Sequence, residues 1–248
     1  MTVDEVIEAA RAQTGLSDYG DPANLEGLEV LLKSYADEAK YTERGSQMAH
    51  ADLVKWMAVR MKIEDWLAQH PELIGKEGLL PADYKPAALQ YMPQIAAIHF
   101  EEADSPTECQ FLMTPSFCSQ VYESQADIPG YREWFLHKAD YLPAFRFHKR
   151  YLQMLQANTG GRWTLKNPWH PLYLPALKEV YPDAQLVMTH RDPADVLGSI
   201  GSLIENVRKI YSDDVDLETI GQQFVETFQI MIERQDAFRA QHGQDAIY

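Results

Sequence analysis

The chain has 248 residues, 46% of them hydrophobic, and a formal net charge of −15. The apolar fraction is enough for a packed core and argues against wholesale disorder. The acidity excludes a general nucleic-acid binder or a protein held on an anionic membrane, because phosphate contacts need clustered Lys and Arg.

The first ten residues, MTVDEVIEAA, are acidic and carry no apolar run, so no signal peptide is expected. Thr2 and Glu5 have the spacing of a capping box for a helix over 3–13. Asn24 is expected to cap a second helix that runs to about Tyr41, with Leu25, Leu28, Leu31, Leu32 and Tyr35 as its apolar stripe. A third helix, 46–69, carries Leu53, Trp56, Met57, Ile63, Trp66 and Leu67 toward the core, and His70-Pro71 stops it. Gly75, Gly78, Pro81 and Pro86 mark 75–86 as a connector.

Further helices are expected over 86–98, 105–122, 131–138 and 142–157. Their aromatics (Tyr122, Tyr131, Trp134, Phe135, Tyr141, Phe145, Phe147) read mainly as helix packing. His99, Glu101, Glu102, Asp104 and Glu108 form a polar cluster that reads as a solvated loop, with no metal expected. Cys109 and Cys118 fit two reduced thiols in a cytoplasmic protein better than a disulfide scaffold. No stretch of 18 apolar residues is present, so no membrane span is expected.

The pattern changes after residue 160. Arg162–His170 reads as a strand and its exit, 171–180 as a short crossover helix begun by Pro171, and Gln185–Thr189 as a buried parallel strand. Asp192 is a good N-cap, and Pro193 suits the first turn of the next helix. A last helix is expected near Leu217–Gln241, with Ile220, Phe224, Phe228, Met231 and Phe238 on one face. The fold class expected is therefore α/β, helix-rich, with a small parallel sheet within 162–210.

Arg191 stands at the tip of the second expected strand. Ser199 follows seven residues past the Asp192 cap, almost two turns on, so both belong to one helix face, roughly 10 Å apart along the axis. A guanidinium, a hydroxyl and free backbone N–H groups suit a phosphate monoester. The same spacing also describes a plain capped turn with a surface Arg.

The stretch LKNPWHPLYLPALKEVYPDAQLVMTHRDPADVLGSIGSL resembles the bacterial branch of the sulfotransferases that use 3′-phosphoadenosine 5′-phosphosulfate (PAPS). So do AARAQTGLSDYGD, AAIHFEEADSPTECQFLM and GRWTLKNPWH, in the same order along the chain. The resemblance implies a P-loop-type sulfotransferase fold in a single domain: a helical N-terminal region (1–74), the connector (75–86), a helical acceptor-side region (87–160) and a cofactor-side region (161–248). It implies that Arg191 and Ser199 bind the 3′-phosphate of PAPS. Lys166, Pro168 and His170 match the family's LK-x-P-x-H element, with Asn167 where Ser is expected. Lys166 is then the cation at the transferring group, and His170 the candidate general base.

Two departures accompany the match. No glycine-rich loop of the R-S/T-G-T-T type, which cradles the 5′-phosphosulfate in the family, occurs in the chain; its place falls in the connector near Gly78. The sequence also stops at Ala246-Ile247-Tyr248, where the family continues into another strand and a C-terminal region. The expected activity is sulfuryl transfer from PAPS to a small or lipid-like hydroxyl or amine acceptor, inactive or weak without the loop, with homo-oligomers allowed. The alternative is a non-catalytic helical interaction protein that retains a remnant 3′-phosphate site. A nucleotide kinase is disfavoured, since no G-x-x-x-x-G-K-[ST] is found.

Overall fold

The computed structural model describes residues 1–71, 107–157 and 161–248. Thr2 caps helix α1 (Val3–Thr14) through the expected reciprocal box: its hydroxyl accepts from Glu5 N at 3.2 Å, and the Glu5 carboxylate accepts from Thr2 N at 2.8 Å. Helix α2 (Leu25–Asp37) begins where expected, but Asn24 makes no side-chain cap. Asp21 holds the chain instead, capping a 3-10 turn at Pro22–Asn24 through Ala23 N. Helix α3 (Glu43–Gln69) starts three residues earlier than its apolar stripe suggests, because Thr42 caps it through Gly45 N.

The single helix expected over 105–122 is broken in its described part. Helix α4 (Cys109–Met113) runs into a 3-10 turn at Thr114–Ser116, and α5 (Val121–Gln125) follows. Pro115 and the left-handed Phe117 (φ 58°) account for the break. Helices α6 (Pro129–His137), α7 (Leu142–Leu155), α9 (Pro193–Tyr211) and α10 (Leu217–His242) lie close to their expected spans. Pro171 belongs to a 3-10 turn at His170–Leu172, and the crossover helix shortens to α8 (Leu174–Val180). The helix expected over 86–98 lies outside the described residues.

The expected parallel sheet is not there: among the described residues no strand forms, and the α/β class gives way to a helical packing. A parallel sheet is normally covered on both faces. Among the described residues neither segment has that cover. Val187 is 75% exposed and Trp163 45%. Leu186 O and Met188 N bond instead to the backbone of Tyr248, at 2.9 and 2.7 Å, and Lys166 O accepts from Cys109 N at 3.0 Å.

The main core joins the N-terminal and C-terminal helices. Leu28, Leu31 and Tyr35 of α2, Leu53, Met57 and Met61 of α3, Tyr131 and Phe135 of α6, Phe145 of α7, and Ile220 and Phe224 of α10 all belong to it. Helix α1 packs on α3, α2 on α6, α7 on α8, and α9 on α10, α5 and α3. No described helix is long and apolar enough to cross a membrane.

One close approach ties α3 to α9. Thr42 N and Oγ1 both donate to Tyr211 O, at 3.0 and 3.2 Å, and a Cβ at Gly45 would overlap that carbonyl. Gly45→Ala is therefore expected to destabilise by about 1–3 kcal/mol, as overpacking does. Gly221 of α10 faces open space, so Gly221→Ala is expected to stabilise by about 0.5–1 kcal/mol through helix propensity. Urea unfolding of the two variants checks the opposite signs.

Candidate active site

The segment carrying Lys166 and His170 is held from within. Asn167, buried, accepts from Trp169 N at 3.1 Å and donates to Tyr173 Oη at 2.8 Å. This turn drives Trp169 into the core, where its indole N–H donates to Gln110 Oε1 at 3.0 Å and its ring stacks on Phe228. The residue that departs from the family pattern is thus the one that shapes the loop.

Lys166 extends from this turn with its side chain 69% exposed, and its ammonium pairs with the Glu108 carboxylate. Glu108 is nearly buried and precedes α4, whose first N–H bonds Lys166 O. Sequence reasoning placed Glu108 in a solvated cluster and missed this pairing across 58 residues. The other members of that cluster, His99, Glu101, Glu102 and Asp104, lie outside the described residues.

His170 sits among aromatic rings, with Tyr173 and Phe145 at centroid distances of 6.1 and 6.3 Å. Its Nε2 is buried without a hydrogen-bond partner, and burial pushes its pKa down to about 4. His148 of α7 is its neighbour. His148 Nδ1 meets Tyr181 Oη at 2.7 Å, and its Nε2 also lacks a partner. Burial first, and then the nearby His170, push it down to about 3. Both imidazoles are neutral at neutral pH. His170 can accept a proton in that state, but weakly.

Arg191 and Ser199 are exposed at the start of α9. Asp192 caps the helix through Ala194 N at 2.8 Å, as its position before Pro193 implies. The Arg191 guanidinium stands 3.7 Å from the Asp195 carboxylate, both about two-thirds exposed, a spacing that costs little to break. No hydrogen bond or ion pair among the described residues links Lys166, His170, Arg191 and Ser199 to one another. The connector at 75–86, where the phosphosulfate loop would fall, lies outside the described residues.

Comparison with known proteins adds to this geometry. The model described as the sulfotransferase family matches residues 45–248. The crystal structure of sulfotransferase STF1 from Mycobacterium tuberculosis is similar with a TM-score of 0.84 and 27% identity, over 100% of this chain and 83% of that one. That of sulfotransferase STF9 from Mycobacterium avium is similar with a TM-score of 0.86 and 24% identity, over 100% of this chain and 78% of that one, and speaks to the fold alone. No protein with a curated description matches.

The buried histidines set a pH dependence whose sign can be worked out. Each is neutral in the fold, while in the unfolded chain it takes up a proton below about 6.5. Their contribution to stability is therefore complete above that pH and is lost as pH falls toward about 4 for His170 and about 3 for His148. Urea midpoints are expected to drop between pH 7 and 5, and the drop to shrink in a His148→Asn/His170→Asn variant. An equal drop in the variant would assign it to other groups.

Proposed function

The chain belongs to the sulfotransferase family, and from that premise we propose that it takes PAPS as donor and a small or lipid-like alcohol or amine as acceptor. Arg191 and Ser199 would bind the donor's 3′-phosphate, and Lys166 would stand at the bridging oxygen. In the reaction the sulfur–oxygen bond to the donor's phosphate breaks and a bond from sulfur to the acceptor oxygen or nitrogen forms. The acceptor proton leaves to a base or to water, and adenosine 3′,5′-bisphosphate is released.

The observation that carries this reading is the exposure of Arg191, just before α9, and of Ser199 on its second turn, inside the matched region. The N-terminus of a helix favours an anion through its dipole; at α9 Pro193 has no N–H and Asp192 already takes Ala194 N, so Arg191 and the Ser199 hydroxyl would carry the contact. Arg191 reaches it at the loss of one long surface contact to Asp195. The fit of this corner to a phosphate does not depend on the expected sheet.

Three features limit the rate expected. The sequence carries no glycine-rich loop to hold the 5′-phosphosulfate, and positioning of that kind is worth about 7–11 kcal/mol of barrier. Lys166 already has a counter-ion in Glu108, so the donor must displace or share that carboxylate. A base held at about 4 adds little. Slow transfer with intact product binding is the behaviour this site supports.

The alternative, a non-catalytic interaction protein, draws support from the same Lys166–Glu108 pair and from Val225 and Ile232, exposed on α10. Product binding discriminates the residues involved. Adenosine 3′,5′-bisphosphate is expected to bind by calorimetry, and Arg191→Ala or Ser199→Ala to cost about 1.5–3 kcal/mol, the worth of a charge-assisted contact. Unchanged affinity in both variants would overturn the phosphate assignment.

A further inference from the structure

Glu108 does more than neutralise Lys166. One carboxylate oxygen, Oε1, takes the Lys166 ammonium, and the other, Oε2, accepts from Gln110 Nε2 at 2.8 Å. Gln110 passes the constraint on, since its Oε1 accepts the Trp169 indole N–H at 3.0 Å. The backbone adds another tie: Cys109 N donates to Lys166 O at 3.0 Å. Residues 108–110, at the start of α4, thus hold both ends of the Lys166–Trp169 turn.

The two ionic partners differ in freedom. The Lys166 side chain is 69% exposed and that of Glu108 only 12%. An exposed lysine on its flexible stem spreads over many rotamers, so by itself it offers no fixed charge. The carboxylate is fixed from behind. Gln110 ties it to an indole that is buried and stacked on Phe228. It therefore cannot follow the ammonium into solvent. An ammonium has three N–H groups, so one bond to Glu108 leaves two for an anion.

We propose that Glu108 is the positioning residue of Lys166: buried and braced by Gln110, it holds the ammonium in one place with two N–H groups turned to the leaving oxygens of the sulfuryl donor. This rests on the reading that the chain transfers sulfuryl groups from PAPS with Lys166 at the bridging oxygen. Unbraced surface pairs contribute little. The link through Gln110 to Trp169 is what sets this one apart.

The carboxylate also bears on the charge of Lys166. Burial pushes the ammonium below the usual lysine value, and an adjacent carboxylate opposes that by favouring the charged form. Neither Lys166 nor Glu108 has a second ion pair among the described residues. The nearby titratable groups are Cys109 on α4, His148 on α7, and His170 and Tyr173 beyond the turn. Burial pushes Cys109 up to about 12 and Tyr173 well above the usual tyrosine value. It pushes His170 down to about 4 and His148 to about 3. All four are neutral from neutral pH to about pH 10, so the reactivity of Lys166 in that range reports on its pair with Glu108.

Trace acetylation of the full chain with acetic anhydride, mapped by peptide mass spectrometry, reads Lys166 without any need for transfer. Glu108→Gln is expected to raise its acetylation at about pH 8 by about three- to tenfold, because the ammonium loses the charge that keeps it protonated. Gln110→Leu, which keeps the charge and removes the brace, is expected to raise it about twofold. Lys33 and Lys62, exposed on α2 and α3, are internal standards whose labelling stays constant. Single-turnover transfer from PAPS is expected to fall about tenfold or more in Glu108→Gln, with its alkaline limb moved to lower pH. Affinity for adenosine 3′,5′-bisphosphate, whose 3′-phosphate is assigned to Arg191 and Ser199, is expected to be unchanged. Constant Lys166 labelling in Glu108→Gln, or transfer as fast as or faster than in the natural chain, would overturn the proposal. If Glu108→Gln does not fold by circular dichroism, Gln110→Leu decides by the same two readings. If the natural chain transfers no label, the PAPS reading fails, and the acetylation alone confirms or overturns the hold of Glu108 on Lys166.

Discussion

Arg60 is the fixed point of this structure. It lies on α3, fully buried, and donates to Tyr19 O, to Asp21 O at 3.2 Å and to Pro115 O at 3.3 Å, while its guanidinium sits 4.7 Å over the Phe147 ring. Burial pushes its pKa down to about 10, which leaves it cationic at neutral pH. Three carbonyls and an aromatic face offset the loss of water around the charge. One side chain thereby joins the loop after α1, the turn after α4 and helix α7.

A second buried network closes the other side. Arg132 of α6 pairs with Glu123 of α5 and, at 2.9 Å, with Glu226 of α10, and donates to Thr227 Oγ1 at 2.8 Å. Arg208 of α9 donates to Glu123 O at 3.0 Å and to Gln223 Oε1 at 3.1 Å. These bonds hold the two long C-terminal helices against the middle of the chain. They orient α9, whose start presents Arg191 and Ser199. Removing one partner would leave a buried charge uncompensated, so the network is costly to break even though each pair adds little on its own.

What the sequence made legible was local. The Thr2–Glu5 box and the Asp192-Pro193 cap involve residues within three positions of each other, and both are found as the spacing implies. The apolar stripes of α2 and α3 are buried for the same reason: helical periodicity is a property of the segment itself. The sheet failed as an expectation because Leu186, Val187 and Met188 look like a buried strand only if partners flank them, and partners are not encoded in the run. The Lys166–Glu108 pair was illegible for the same cause, since it depends on where distant segments end up. Asn167, which stood out as a mismatch to the family, turned out to be the hinge of the Trp169 turn. The family itself was legible from the order of short motifs, which needs no three-dimensional partner.

Lys166 carries the central claim, since it is the charge that would meet the bridging oxygen of the donor. The direct measurement is transfer of label from sulfur-labelled PAPS to a panel of alcohols and amines, under single-turnover conditions, for the natural chain and for Lys166→Met. The account predicts slow, measurable transfer to at least one acceptor and a loss of about a hundredfold or more in the variant. No transfer by the natural chain, or transfer that Lys166→Met leaves unchanged, would contradict it.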